Sequence, residues 1–430
     1  TFQLTEGVSL FGGFVGNEAK LSDRDLDQGP ATILSGDTPN CFHVLQGAAE
    51  VYMADVTITD GNALGTGEDA KGGGLYAVTG PMTLRHVRFI NNRAMEGGAV
   101  FQNGDDLTLI DCLFSGNQAD NNAGAIALAG GDLEIMHCVF SDNAATSGDG
   151  GAIVAGGTES RTELTGSSLM GNVAGARGGA VFTKEMQDVA IEDTVFKGNS
   201  AGTGGGLAFA DSQGHVVNNT VFGNYAGENG GGVYVTGSSS PVIANTILWQ
   251  NQASTSGGEL YNGGTSAVEL NSCDIQGGAG GNKVTGTIYN SGGNINASPA
   301  FILSVNSTWT QPPVYDNDSN ETVLYDDSAG WHPGVLEGRA ITPNAAQSQR
   351  ALHVLDNTET TVTVAGDATD AAAGGTYNLL DYHLSSSSPC IDAANANFGD
   401  RETDIDGEKS YDNGNVTNRG LGDPPYGDMG

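Results

Sequence analysis

The stretch FSGNQADNNAGAIAL, Phe114–Leu128, places an aromatic residue three positions before an asparagine, and small residues before a branched apolar one. The same arrangement stands one unit earlier in FINNRAMEGGAVFQ, 89–102, and one unit later in FSDNAATSGDGGAIVA, 140–155. With the asparagine as origin, a column emerges: Asn92, Asn117, Asn143, Asn172, Asn199, Asn224 and Asn251, spaced by 25 to 29 residues. Three residues before each lie Phe89, Phe114, Phe140, Leu169, Phe196, Val221 and Leu248, and two residues after each lies an alanine, from Ala94 to Ala253. A third column, Leu75, Val100, Ile126, Ile153, Val181, Leu207, Val233 and Leu260, opens each unit behind small residues, with Glu259 as the exception.

A period of this size means one supersecondary unit stacked on copies of itself. The units are not helical, because apolar residues alternate with period two. In LTLIDCLFSGN, Leu107 and Leu109 point one way, and a bend at Asp111 then resets the phase to Cys112 and Phe114. Three short strands per unit, joined by Gly, Asn and Asp corners, describe an all-β chain wound as a three-sheet parallel β-helix. Coils stacked about 4.8 Å apart, roughly eleven of them up to residue 290, make a rod about 50 Å long. An inward-turned corner asparagine hydrogen-bonds the coils above and below, satisfying polar groups at a bend. The phenylalanines fill the interior, and glycine and alanine permit the tight corner that follows. Cys112 and Cys138 share one inward column with Val87, Ser167 and Thr194. They read as buried core thiols, with a disulfide between them left open.

Composition narrows the function classes. With 51 acidic and 16 basic residues the formal charge is −35. That surface repels nucleic acid and anionic lipid. It also repels anionic polysaccharides unless cations bridge them. Five cysteines without a CxxC pair make neither a disulfide framework nor a zinc site. No apolar run is long enough to span a membrane, so direct insertion is not expected. The chain starts in strand-like alternation at TFQLTEGVSL, so its ends read as processed or truncated and the lack of an export signal is uninformative.

GGAV at 97–100, GGAI at 150–153 and GGAV at 178–181, alternating with FINN, FSGN, FSDN and FKGN, resemble the repeats of the chlamydial polymorphic outer-membrane proteins. They also resemble related bacterial secreted β-helix proteins that end in a surface anchor; SLFGGFVGNE, NINASPAF and SPCIDAANA are similar to segments of that group. The resemblance implies a right-handed helix and a secreted or cell-surface location. It says little about activity.

The period ends after Phe301. The sequence divides into a β-helix over 1–301, an inserted small β module over 302–380, expected to sit on the rod's end as a cap, and 381–430 as a final partial coil with an acidic, glycine-rich tail. Four candidate sites follow. Glu402, Asp404 and Asp406, with Gly407, occupy places of an EF-hand-type calcium loop, but Asn413 stands where its bidentate Glu belongs. Calcium is the only cofactor this suggests, and the same residues also read as an ordinary acidic turn. His86, Asp111 and His137 form a column at a bend, near Arg85; this is either a metal or acid–base site, or a solvated corner. Phe222 and Trp249, with Tyr225 beside them, form an aromatic patch for a sugar ring or a neighbouring subunit, unless it is packed internally. A second stripe, Tyr76, Phe101, Val154, Phe182, Tyr234 and Tyr261, needs a cover if it faces outward. The functional expectation is a structural, adhesive or self-assembling surface protein, associating end to end or laterally or binding extracellular polysaccharide. The alternative is a polysaccharide lyase or glycoside hydrolase working in a groove on the rod.

Overall fold

The computed structural model describes residues 1–24, 32–37, 41–78, 80–317, 319–336, 339–347, 352–371, 373–398 and 428–429, with the backbone alone at 302–306, 347 and 380–383. Each coil runs through an opening strand such as Val100–Gln102, a second such as Leu107–Ile110, a third such as Leu113–Ser115, and a short fourth such as Gln118–Asn122. Among the described residues these stack into parallel sheets of eleven, eleven, ten and eight strands. Like pairs with like across coils: Val100 with Ile126, Leu109 with Ile135, Phe114 with Phe140, Ala119 with Ala145. The alanine column thus forms a fourth narrow wall where three were expected. Its side chains are small because this wall lies at the tight corner that follows the asparagine.

The asparagines line the interior. Asn143 is fully buried. Its Nδ2 donates to Asn172 Oδ1 at 3.0 Å and to the Phe114 carbonyl at 2.9 Å. Its Oδ1 accepts from the Asn117 backbone N–H at 3.1 Å and from Asn117 Nδ2 at 2.9 Å. The same bonds link Asn92 through Asn251 in sequence. An amide is suited to this corner because one side chain supplies both donors and an acceptor. Beside the ladder, Phe89, Phe114 and Phe140 stack with centroids 4.9 and 4.7 Å apart and rings 4° from parallel. Strand spacing imposes that face-to-face geometry, which isolated rings do not prefer.

The thiol column is a second polar ladder. The Cys112 backbone N–H points at Cys138 Sγ (3.3 Å), that of Cys138 at Ser167 Oγ (3.0 Å), and that of Ser167 at Thr194 Oγ1 (3.3 Å). Each side chain accepts from the coil before it. Ser167 and Thr194 also donate to the carbonyl two residues back in their own coil. Cys112 and Cys138 are unbridged, and burial pushes the Cys138 thiol up.

Two expectations about the C-terminal region are corrected. Between Phe301 and Leu384 the described residues form a seven-stranded antiparallel sheet with its own core, in which Trp309 stacks on Tyr377 at 3.9 Å. This module lies along the outer flank of the third sheet and not on the rod's end. Arg88 pairs with Glu321, Asn91 Nδ2 donates to the Asn317 carbonyl, Asn320 Nδ2 donates to Ser115 Oγ, and Ala340 packs between Met170 and Val195. The outward column of that face reads Ile90, Ser115, Ser141, Met170, Lys197 and Phe222, and covering its apolar members favours the docking. Nor does SPCIDAANA add a coil. It runs as turns across the same outer face, where Asn395 exchanges hydrogen bonds with Asn245 and the Cys390 thiol donates to Asp274 Oδ2.

Candidate functional site

The bend between the second and third strands requires a left-handed backbone. Asp55, His86, Asp111 and His137 there have φ of 61°, 51°, 53° and 51°, and Gly166, Asp193, Asn218 and Asn245 continue the column with φ of 48° to 57°. Short polar residues and glycine tolerate that region, so local geometry alone accounts for the residue types. Stacking then aligns their charges. His86 Nε2 lies 3.1 Å from Asp111 Oδ2 and its Nδ1 3.3 Å from Asp55 Oδ1. His137 Nδ1 and Arg85 Nε approach Asp111 at 3.7 and 3.6 Å, and Arg24 closes the far end on Asp55 at 2.6 Å. The structure therefore brings His86, Asp111, His137 and Arg85 together, in a row where imidazoles alternate with carboxylates.

This row borders an open cleft of about 530 Å³ between the solenoid and the antiparallel module. The solenoid contributes His86, Arg88, Asp111 and Leu113; the module contributes Glu321, Leu355, Asp356 and Thr363. Arg88 and Glu321 bridge the two walls, and Arg88 Nε is buried with no hydrogen-bond partner among the described residues. An imidazole against a carboxylate, facing further carboxylates across a cleft, is an arrangement general acid–base chemistry can use. The same contacts also neutralise charges at a repeated bend.

Sequence reading missed the module's half of this cleft. Arg88 and Glu321 are 233 residues apart, and no periodic signal connects them. It also missed Lys197, a buried lysine on the third sheet's outer face. Lys197 sits in register between Met170 and Phe222, and burial pulls its ammonium down to about 8.

Two members of the aromatic patch are taken up within the chain. Phe222 is buried edge-on against Phe301, with Lys197 Nζ 4.5 Å from its ring centre. Trp249 packs with Ile247, Cys390, Ala393 and Ala394. Tyr225 is half-buried, its hydroxyl 2.8 Å from Ser254 Oγ. The second stripe does face outward, and at two places a residue from the turn before an opening strand covers it. Lys71 lies 4.2 Å over Phe101 and Arg177 4.2 Å over Phe182, each capping a ring by cation–π contact. Tyr234 and Tyr261 stack on each other. Among the described residues no group of three or more His, Cys, Asp or Glu side chains could hold a metal ion. The expected calcium loop at Glu402, Asp404 and Asp406 lies outside the described residues.

Comparison with known proteins agrees with the fold. Residues 111–129 match the model of the Chlamydia polymorphic membrane protein repeat, a stretch covering the Asp111 bend, Phe114, Asn117 and the next opening strand. No curated protein and no solved structure matches the chain. This one matched repeat, together with the stacked parallel fold, fits a surface β-helix protein.

Proposed function

We propose that the protein is a cell-surface or secreted β-helix scaffold with a structural or adhesive role, meeting extracellular polysaccharide or further copies of itself through its outer faces. The observation that carries this reading is the unbroken amide ladder from Asn92 to Asn251, with the module clamped along its flank. It makes the chain a stiff, acidic rod whose interior is closed to ligands, leaving recognition to the surface. The test is light-scattering mass in solution, with and without calcium, beside binding and cleavage assays on a broad polysaccharide panel. Binding or self-association without cleavage is expected. Depolymerisation of any member would reject the reading.

The cleft favours a second reading, acid–base hydrolysis or elimination on a polysaccharide, with Asp111, His86 and Glu321 nearest the substrate and Arg85 and His137 beside them. That reading fails if Arg85, Asp111 and His137 are replaced together and every detected activity survives.

A further inference from the structure

The small-residue column before the opening strands reads Gly74, Ala99, Ala125, Ala152, Ala180, Gly206, Gly232 and then Glu259. A carboxylate in that position is unexpected, and Glu259 is completely buried. Its surroundings supply the reason. Leu248 pairs with Ile275, and three residues on, where the repeat would supply the next asparagine, the sequence has Gly278. The amide ladder thus has no next amide, and Asn251 Nδ2 would be left with one hydrogen unpaired inside the rod. Asn251 Nδ2 donates to the Val221 carbonyl at 2.8 Å and to Glu259 Oε2 at 2.6 Å. The other carboxylate oxygen accepts from Lys283 Nζ at 3.1 Å, and Lys283 is held in turn by Gln276 Oε1.

We propose that Glu259 and Lys283 form a built-in terminator of the amide ladder. Glu259 reaches in from its own coil to supply the acceptor that a further asparagine would supply. Lys283, from the last coil, compensates the buried charge, and Gln276 fixes Lys283. Every earlier rung is an amide that the next coil can repeat; this one is a carboxyl held by a lysine, and it offers no such repeat. It therefore ends the ladder and ties the last coil, residues 276–298, to the rest of the rod. Without it, an unpaired donor would face the open end, a template for another coil.

The groups facing Glu259 are Asn251, Lys283 and Gln276. Burial pushes its carboxyl up to about 7, against the opposing pull of Asn251 and Lys283. A folded-state value above the unfolded one means that this contribution is present at low pH and is lost as pH rises through about 7.

The experiment is hydrogen–deuterium exchange on the full chain, corrected for intrinsic rates, at pH 5 and pH 8. Glu259→Ala should accelerate exchange over 276–298 about 10-fold or more while 114–145 stays unchanged. Glu259→Gln, which keeps an acceptor for Asn251, should stay within about 3-fold of the parent and lose the difference between the two pH values. Exchange in Glu259→Ala equal to the parent's would overturn the proposal, as would Glu259→Gln exchanging as fast as Glu259→Ala. Should Glu259→Ala fail to fold, the pH comparison decides. A parent difference over 276–298 that vanishes in Glu259→Gln supports the terminator, and an undiminished difference overturns it.

Discussion

Asn143 and Lys197 are both buried, and both carry a polar end into a packed region, yet the chain treats them differently. Asn143 sits in the solenoid's interior and makes four side-chain hydrogen bonds, all to groups that recur in each coil. Lys197 sits in the seam between the solenoid and the antiparallel module, where its ammonium faces the ring of Phe222 and burial depresses its titration. Along the ladder one solution is repeated, so each asparagine from Asn92 to Asn224 finds its amide partner one coil away. Along the seam each position is met by a different residue of the module, and satisfaction is local and uneven.

Breaking the repeated solution should cost most. Asn143→Leu removes the partner of the Asn117 backbone N–H and of one Asn117 Nδ2 hydrogen, and the side-chain bond to the Phe114 carbonyl, inside the rod. At 1–3 kcal/mol for each orphaned group, a loss of about 5 kcal/mol is expected in chemical denaturation of the solenoid. Phe114→Ala removes a ring stacked on both sides and should cost about 4 kcal/mol in the same measurement.

The seam should respond in the opposite direction. Lys197→Met removes a buried charge without removing a hydrogen bond and fills similar volume, so it should stabilise the protein by about 2 kcal/mol at pH 7. The sign follows from a folded value near 8 against an ordinary 10.5. Between those pH values the unfolded chain binds more protons than the folded one, so stability of the parent rises with pH over that window. Melting curves from pH 7 to pH 10 should converge for the parent and Lys197→Met. The smallest effect is expected at the cleft. Arg88 and Glu321 are partly exposed, so Glu321→Gln should cost under about 1 kcal/mol and the difference should shrink in high salt.

This contrast also explains what could be read in advance. The amide, aromatic and alanine columns were legible because stacking forces each to repeat, and repetition is visible in one dimension. The direction in which Asn117 points followed from the same register. The bend residues His86, Asp111 and His137 were found as a column, but their contacts with Asp55 and Arg24 and their place beside the module were not. The module's docking is a tertiary event between segments with no shared period, so Phe222 and Trp249, exposed in a bare solenoid, are covered by Phe301 and by residues 390–394. Glu259 was visible as a break in a column, but its reason lay in Gly278, where the ladder's next amide is missing. Cys112 and Cys138 read as buried core thiols, and their part in a backbone-to-side-chain ladder was not seen; Ser167 and Thr194 in the same column carried that signal.

The ladder itself can be tested by following the side-chain carboxamide protons of Asn117, Asn143 and Asn172 by NMR after transfer to heavy water. Protons bonded coil to coil within a dry interior should outlast those of exposed carboxamides by orders of magnitude, as slowly exchanging as the core strand amides. Carboxamide exchange as fast as that of an asparagine in an unfolded peptide, at any of the three, would contradict an interior ladder and with it the stacked arrangement of the coils.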